Sequence, residues 1–301
     1  MSLRRPHPTH HDDEHDLGLV HDIGVLTRRR ALLFAGLAGV SALAACSTST
    51  TSTPASAETT PAPTSDTDAD CVAAAPQETE GPYPGDGSNG PNVLTESGIV
   101  RSDIRSSFGA YSAVVEGVPL TVSVTLQDLT AGCTPGAGMA IYIWQCDREG
   151  RYSLYSDGVT EQNFLRGVQV ADSAGRVNFT SIFPGCYPGR WPHIHFEVFD
   201  SLESAFQSNA AEDNARLTSQ IAFPEDSCDL VYGSAAGYSA SVDNLAQLSL
   251  DTDMIFGDGW DAEMATVTGD LSAMSLSLTI GVGEKTAAPS MGPLPSGPPP
   301  G

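Results

Sequence analysis

Leu120-Thr121-Val122-Ser123-Val124-Thr125-Leu126 sets an apolar side chain at every second position, and this alternation constrains the fold more than any other feature. Successive side chains of an extended strand point to opposite faces, so such a run gives one face to a core and the other to water. Met274-Ser275-Leu276-Ser277-Leu278-Thr279-Ile280 alternates in the same way. Val168-Gln169-Val170 and Arg176 to Ile182 flank the turn Asp172-Ser173-Ala174-Gly175 in the manner of a hairpin. Met139 to Trp144, Trp191 to Phe199 and Leu217 to Phe223 are more continuously apolar, as strands covered on both faces would be. Short strands separated by Gly- and Pro-containing turns predict an all-β fold: a β-sandwich of short, mainly antiparallel strands. Short helices are expected only near Leu202 to Asn214 and Asp226 to Ala235.

The ends of the chain read differently. Residues 1–45 have the form of a twin-arginine-type signal peptide, with Thr27-Arg28-Arg29-Arg30-Ala31-Leu32-Leu33 ahead of an apolar stretch too short for a permanent membrane span. That stretch ends in Leu43-Ala44-Ala45-Cys46, which resembles the lipobox of bacterial lipoproteins and marks Cys46 for lipidation. An ordinary signal peptide cleaved at small residues is the alternative. Residues 46–70 are Ser, Thr, Pro, Ala and acid, and residues 286–301 are Pro- and Gly-rich; neither can bury enough surface to offset its ordering entropy. A tether, a folded domain over residues 71–285 and a tail are therefore expected. The protein would be exported by the twin-arginine route and lipid-anchored on the outer face of the cytoplasmic membrane, or secreted.

Beyond Cys46 the chain has one lysine, Lys285, and eight arginines against many more acids. Nucleic acid is excluded as a partner, because binding it needs clustered cations, and contact with a membrane would run only through the lipid. Five cysteines follow Cys46, an odd number, and none has zinc-finger spacing. A strand over Met139 to Trp144 would hold Cys133 and Cys146 too far apart to pair. Cys186 either pairs with Cys228 or fills space as a small apolar residue. Asp251, Asp253, Asp258 and Asp261 lack the spacing of a calcium-binding EF-hand loop and read as a solvated acidic loop.

The chemistry lies in two histidines. His7, His10, His11, His15 and His21 belong to the leader, so the rest of the chain keeps only His193 and His195. One residue apart on a strand, they share a face and form a two-point metal clamp. Tyr187 lies just upstream, in Phe183-Pro184-Gly185-Cys186-Tyr187-Pro188-Gly189-Arg190, and Tyr152 closes the segment from Trp144. Two tyrosines and two histidines would suit one hard ferric ion. Tyr142 and Tyr155 compete with Tyr152, and the motif Gly150-Arg151-Tyr152 favours the latter.

At these residues the chain resembles the intradiol ring-cleavage dioxygenases, non-haem iron(III) enzymes that open catechols between the two hydroxyl-bearing carbons. Thr79-Glu80-Gly81-Pro82-Tyr83, Phe164-Leu165-Arg166-Gly167, Leu217-Thr218-Ser219-Gln220 and the spacing of Tyr187, Arg190, His193 and His195 carry the resemblance. Together with the leader and tether, it is most similar to exported dioxygenase-like proteins of high-GC Gram-positive bacteria. The resemblance implies one iron(III) per chain held by Tyr152, Tyr187, His193, His195 and a hydroxide. It implies a catechol bound as a chelating dianion that displaces the hydroxide and Tyr187, so that Tyr187 is both ligand and base. It further implies that Arg190 stabilises a carbanion-like ring, that Gln220 positions the oxygen species, and that Tyr83 and Arg190 contact substrate. The partners are then a catecholic aromatic and O2, and the product is a cis,cis-muconate. Pro84 stands where relatives often have a second tyrosine. The scarcity of cations favours neutral catechols over carboxylated ones, and a homodimer is left open. On the residues alone two other classes remain open: a non-catalytic cell-surface binding lipoprotein, and a zinc hydrolase using His193, His195 and Glu197.

Overall fold

The computed structural model describes residues 71–207 and 214–287. The signal segment, Cys46 and the tether lie outside the described residues, as do residues 288–301 of the tail and residues 208–213 of the helix expected to end at Asn214.

The alternating run from Leu120 becomes β1, Pro119–Asp128, the central strand of the first sheet. Its apolar face, Leu120, Val122, Val124 and Leu126, is almost wholly buried. β2 (Thr134–Pro135) pairs with the end of β1, and β5 (Arg176–Ile182) runs antiparallel along it from Pro119 opposite Ile182 to Thr125 opposite Arg176. β9 (Ala273–Val282) lies parallel to β1, with Leu120 opposite Met274, and β8 (Thr266–Asp270) completes the sheet antiparallel to β9. The second sheet has the order β4 (Arg166–Val170), β3 (Ala140–Trp144), β6 (His193–Phe199), β7 (Leu217–Ala222), all antiparallel. The expected sandwich is what forms.

The continuously apolar runs fill two cores. Ile141 and Ile143 of β3 and Ile194, Phe196 and Val198 of β6 face the first sheet and join its apolar side chains. The opposite face of β3 presents Ala140, Tyr142 and Trp144 to a second cluster with Tyr83, Val93, Leu94, Ile99 and Tyr152. Because β6 is covered on both sides, His193, His195 and Glu197 are buried with 3% exposure or less.

Some elements depart from expectation. Val168–Val170 and Arg176–Ile182 do not form a hairpin ladder: the turn closes, with Asp172 N–H bonded to Arg176 O, but β4 pairs with β3 and β5 with β1. Each strand pairs along its whole length with a partner in its own sheet. β8, Thr-Val-Thr-Gly-Asp, has one apolar residue and lies exposed at the sheet edge, so it carries little hydrophobic pattern. The helices are α1 (Leu202–Phe206), α2 (Glu225–Ser234) and an unforeseen α3 (Ser239–Leu245). α3 earns its place through side chains: Ser241 Oγ accepts from Cys186 N–H at 2.9 Å and Asn244 Nδ2 donates to Cys186 O at 2.7 Å. Cys71 and Cys133 form a disulfide with Cα atoms 5.3 Å apart, while Cys146, Cys186 and Cys228 are unpaired and buried. Cys186 and Cys228 therefore fill the core instead of pairing.

Glu263 supplies a stability prediction. It is 1% exposed and accepts from Ser219 Oγ at 2.9 Å. Burial, opposed by that bond, pushes its pKa up to about 8. A raised carboxylate pKa gives the folded state a proton that the unfolded state has lost, so stability present below pH 4.5 is lost as pH rises through 8. Glu263→Gln should remove this slope and stabilise the protein at pH 7 by on the order of 2 kcal/mol. Urea melts at pH 5 and pH 8 check it, and an unchanged pH slope would contradict it.

Candidate metal centre

Three segments bring four donor atoms together. β6 supplies both histidines, the turn after β5 supplies Tyr187, and the loop after β3 supplies Tyr152. His193 Nε2 lies 3.0 Å from His195 Nε2, 3.2 Å from Tyr187 Oη and 3.4 Å from Tyr152 Oη, and the two phenol oxygens are 3.4 Å apart. The His193 Nδ1–H donates to Trp191 O, which leaves the Nε2 lone pair for the cluster. His195 is clamped between Trp144, stacked on its ring at 5.0 Å and 4°, and Gly81. At Gly81, φ is +73° and a Cβ would stand 3.1 Å from the His195 ring, so Thr79-Glu80-Gly81-Pro82-Tyr83 crosses the imidazole only with glycine there. Gly150 (φ +85°) does the same beside Tyr187, whose Cβ would meet it at 3.1 Å.

Burial keeps the four donors neutral. It pushes the His193 pKa down to about 3, with the Arg190 charge adding to the effect, and holds His195 well below the ordinary histidine value. It likewise raises both phenols, most for the fully buried Tyr152, while Arg190 pulls each back. His195 Nδ1 is buried with no hydrogen-bond partner. Two imidazole nitrogens aimed at each other beside two phenol oxygens form a nest of lone pairs that a cation would satisfy. Their mutual spacing is that of ligands bonded at about 2.1 Å to a common ion. Hard phenolate oxygen with imidazole suits a ferric ion, so the residues present fit the iron that the resemblance implies.

The rivals of Tyr152 are committed elsewhere. Tyr142 Oη donates to Pro84 O at 2.7 Å, and Tyr155 Oη accepts from Gly85 N–H and donates to Asn89 O. Tyr83 packs 5.1 Å from Tyr152, ring to ring, and so lies against the cluster. Arg190 Nη2 donates to Gln220 Oε1 at 2.6 Å, and Gln220 Nε2 donates to Thr79 O at 3.2 Å. Gln220 sits opposite His195 in the β6–β7 register. Glu197 stays apart from the clamp. Among the described residues, the group of His, Cys, Asp or Glu donors within 4.8 Å of one another is Glu80, Asp86 and Glu197, without either histidine. The zinc-hydrolase reading thereby loses its third ligand.

One residue of the site was misread. Asp251, Asp258 and Asp261 are exposed, but Asp253 is 3% exposed and accepts from Arg190 Nε at 3.1 Å and Trp191 N–H at 2.7 Å. A carboxylate leading the apolar run Met254-Ile255-Phe256 is drawn inward and then requires donors; that run was the signal.

The family model described as Dioxygenase (Dioxygenase_C) matches residues 110–253, which include every donor above and Asp253. The beta chain of protocatechuate 3,4-dioxygenase from Burkholderia cepacia is 33% identical over 128 residues, 38% of this chain and 50% of that one. Hydroxyquinol 1,2-dioxygenase from Rhizobium sp. (strain MTP-10005) is 27% identical over 158 residues, 46% of this chain and 50% of that one. The chain thus spans about half the length of the curated relatives it matches. Among solved structures, an intradiol ring-cleavage dioxygenase from Tetranychus urticae superposes with a TM-score of 0.56 at 24% identity, covering 73% of this chain and 100% of that one. A second dioxygenase structure gives 0.55 at 26% identity over the same shares. With the sandwich and the four converging donors, residues 110–253 carry a domain that matches the Dioxygenase family model and is similar to the intradiol ring-cleavage dioxygenases.

Proposed function

We propose that the protein holds one non-haem iron(III) per chain on Tyr152, Tyr187, His193 and His195. With O2 it opens catechol-type rings between the two hydroxylated carbons, giving cis,cis-muconate-type products. The observation that carries this reading is the neutral, buried convergence of the four donor atoms within 3.4 Å of His193 Nε2 or of one another. The intradiol dioxygenases that the domain resembles use non-haem iron(III).

Held by Tyr152, Tyr187, His193 and His195, an iron(III) ion would supply the electron withdrawal that makes a catechol ring reactive toward O2. The chain's own residues divide the remaining work. Tyr152 is fully buried, its backbone N–H fixed by Ser156 Oγ, and stays in place. Tyr187 is half-buried on a turn, so its phenolate is the one free to swing away and accept a catechol proton at Oη. Arg190 keeps its charge beside the donors, where it favours an anionic substrate and electron-rich ring. Gln220, gripped by Arg190 and Thr79, offers its amide dipole opposite His195. Tyr83 and Trp144 flank the cluster with flat rings and keep water from it. Arg166, the other buried cation nearby, spends its N–H groups on Tyr83 O, Pro84 O, Tyr142 Oη and Ser153. Among the described residues, a carboxylated catechol would therefore gain no second buried cation from Arg166, which supports neutral catechols as substrates.

Export is part of the proposal. The Cys71–Cys133 disulfide needs an oxidising compartment, in keeping with a twin-arginine leader and lipidation of Cys46 on the outer membrane face.

The mature chain, purified in air, should show a broad visible phenolate-to-iron(III) band that shifts when catechol is added without oxygen. A colourless protein after iron loading would return the choice to a binding lipoprotein. Tyr187→Phe should keep iron bound and lower kcat by about 100-fold; an unchanged kcat would sink the role given to that residue.

A further inference from the structure

Asp253 sits between two short 3₁₀ turns, Leu250–Thr252 and Phe256–Asp258, and its carboxylate is saturated from two directions. Oδ1 accepts from the backbone N–H groups of Ile255 at 2.9 Å and Phe256 at 3.2 Å. Oδ2 accepts from Trp191 N–H at 2.7 Å and Arg190 Nε at 3.1 Å, and Arg190 Nη2 reaches Oδ1 at 3.4 Å. The ion pair is enclosed: the side chains of Arg190 and Asp253 are 11% and 0% exposed.

The pairing is selective within the guanidinium. Nε and Nη2 form the edge turned to Asp253, and Nη2 also donates to Gln220. Nη1 makes no hydrogen bond among the described residues. A guanidinium held by one edge is fixed in plane and direction, unlike a lysine ammonium, so the remaining N–H groups and the charge are presented at one place. Phe256, 6.0 Å from the guanidinium and 6.5 Å from the His193 ring, closes the same corner.

We propose that Asp253 is the positioning residue for Arg190: it grips the Nε–Nη2 edge and aims Nη1 at the substrate. The proposal rests on the dioxygenase reading only for what Arg190 then does to substrate. A purely structural role, capping the backbone at Ile255 and Phe256, would serve the fold whether or not Arg190 were present.

Two measurements on the mature chain separate these. In the iron-free protein, the ¹⁵N-edited spectrum should contain an Arg190 Nε–H signal protected from solvent exchange, identified by its loss in Arg190→Gln. Asp253→Asn should lower that protection by about tenfold or more, the scale of a lost charge-assisted bond. In the iron-loaded protein, Asp253→Asn should lower kcat/KM for catechol by about tenfold when Arg190 is present and by less than about twofold in the Arg190→Gln background. Unchanged protection, or an equal loss in both backgrounds, would overturn the proposal. Should the Asn variant not accumulate, Asp253→Glu keeps the charge and displaces the carboxylate by one methylene, and is read against the same two criteria. A wild-type protein without dioxygenase activity would end the functional reading alone, because the exchange measurement does not depend on it.

Discussion

His195→Ala should empty the centre: iron stoichiometry should fall from one per chain to a trace, the visible band should vanish, and kcat/KM should drop by at least about 1,000-fold. The ring cannot be replaced from nearby. It is 3% exposed between Trp144 and Gly81, and no other histidine exists in the described residues except His193. Removing it leaves two phenols and one imidazole, and water entering the space cannot supply a fixed donor on β6. Stability gives the complementary readout. In the iron-free wild type, His195 Nδ1 is buried without a partner, and burial holds the ring's pKa far below its ordinary value. The lost packing in the variant is thus partly offset by relief of an unsatisfied polar group. Iron-free melting temperatures should therefore lie close together, whereas the increment that iron adds to the wild type should be absent from His195→Ala. An iron-replete, coloured His195→Ala protein would remove His195 from the ligand set.

The sequence disclosed the site better than its surroundings, for a physical reason. His193 and His195 had to share a face once Trp191 to Phe199 was a strand, and the strand followed from its apolar run. Tyr187 and Tyr152 were legible because Gly150 and the turn at Pro184-Gly185 sit at fixed offsets from them, and the structure uses Gly150 to bring the two tyrosines together. β1 and β9 were legible from alternation alone, although their parallel pairing was not, since residue pattern along a strand carries no information on its neighbour's direction. The Asp172–Gly175 turn misled because local turn chemistry was satisfied while both strands exchanged partners over long range. Asp253 was missed because its partner is 63 residues away and the acids around it do point to water. α3 was missed because Ser-Ala-Ser-Val-Asp-Asn-Leu has little helical periodicity, and hydrogen bonds to the Cys186 backbone do what a broad apolar face would otherwise do.

Arg166→Met should cost the domain about 4 kcal/mol and lower its melting temperature by about 10 °C. Arg166 is 1% exposed in β4, and its guanidinium bridges three stretches of chain that share no strand. Nε donates to Ser153 Oγ at 3.1 Å; Nη1 to Pro84 O at 2.6 Å and Tyr142 Oη at 3.1 Å; Nη2 to Tyr83 O and Ser153 O, both at 2.9 Å. Methionine matches much of its length, so the packing loss is small; Pro84 O keeps Tyr142 Oη as a donor, and the other four acceptors, two carbonyls and two hydroxyls, each lose a buried donor at about 1 kcal/mol apiece. The consequence reaches the metal centre through the backbone. Through Tyr83 O and Pro84 O, Arg166 supplies two of the holds on the segment that carries Gly81 across His195 and sets Tyr83 against Tyr152. With those holds gone, the wall beside the cluster loosens, so KM for catechol should rise more than kcat falls, while iron, held by β6 and the tyrosine turns, stays bound. Arg166→Lys should recover less than half of the stability, because one ammonium cannot reach acceptors arrayed around a planar fork. A Met variant that melts within about 2 °C of wild type would show that these bonds are replaced by water at little cost, and an unchanged KM would show that the Gly81–Tyr83 segment is held in place without Arg166, by its other hydrogen bonds and its contacts with His195 and Tyr152.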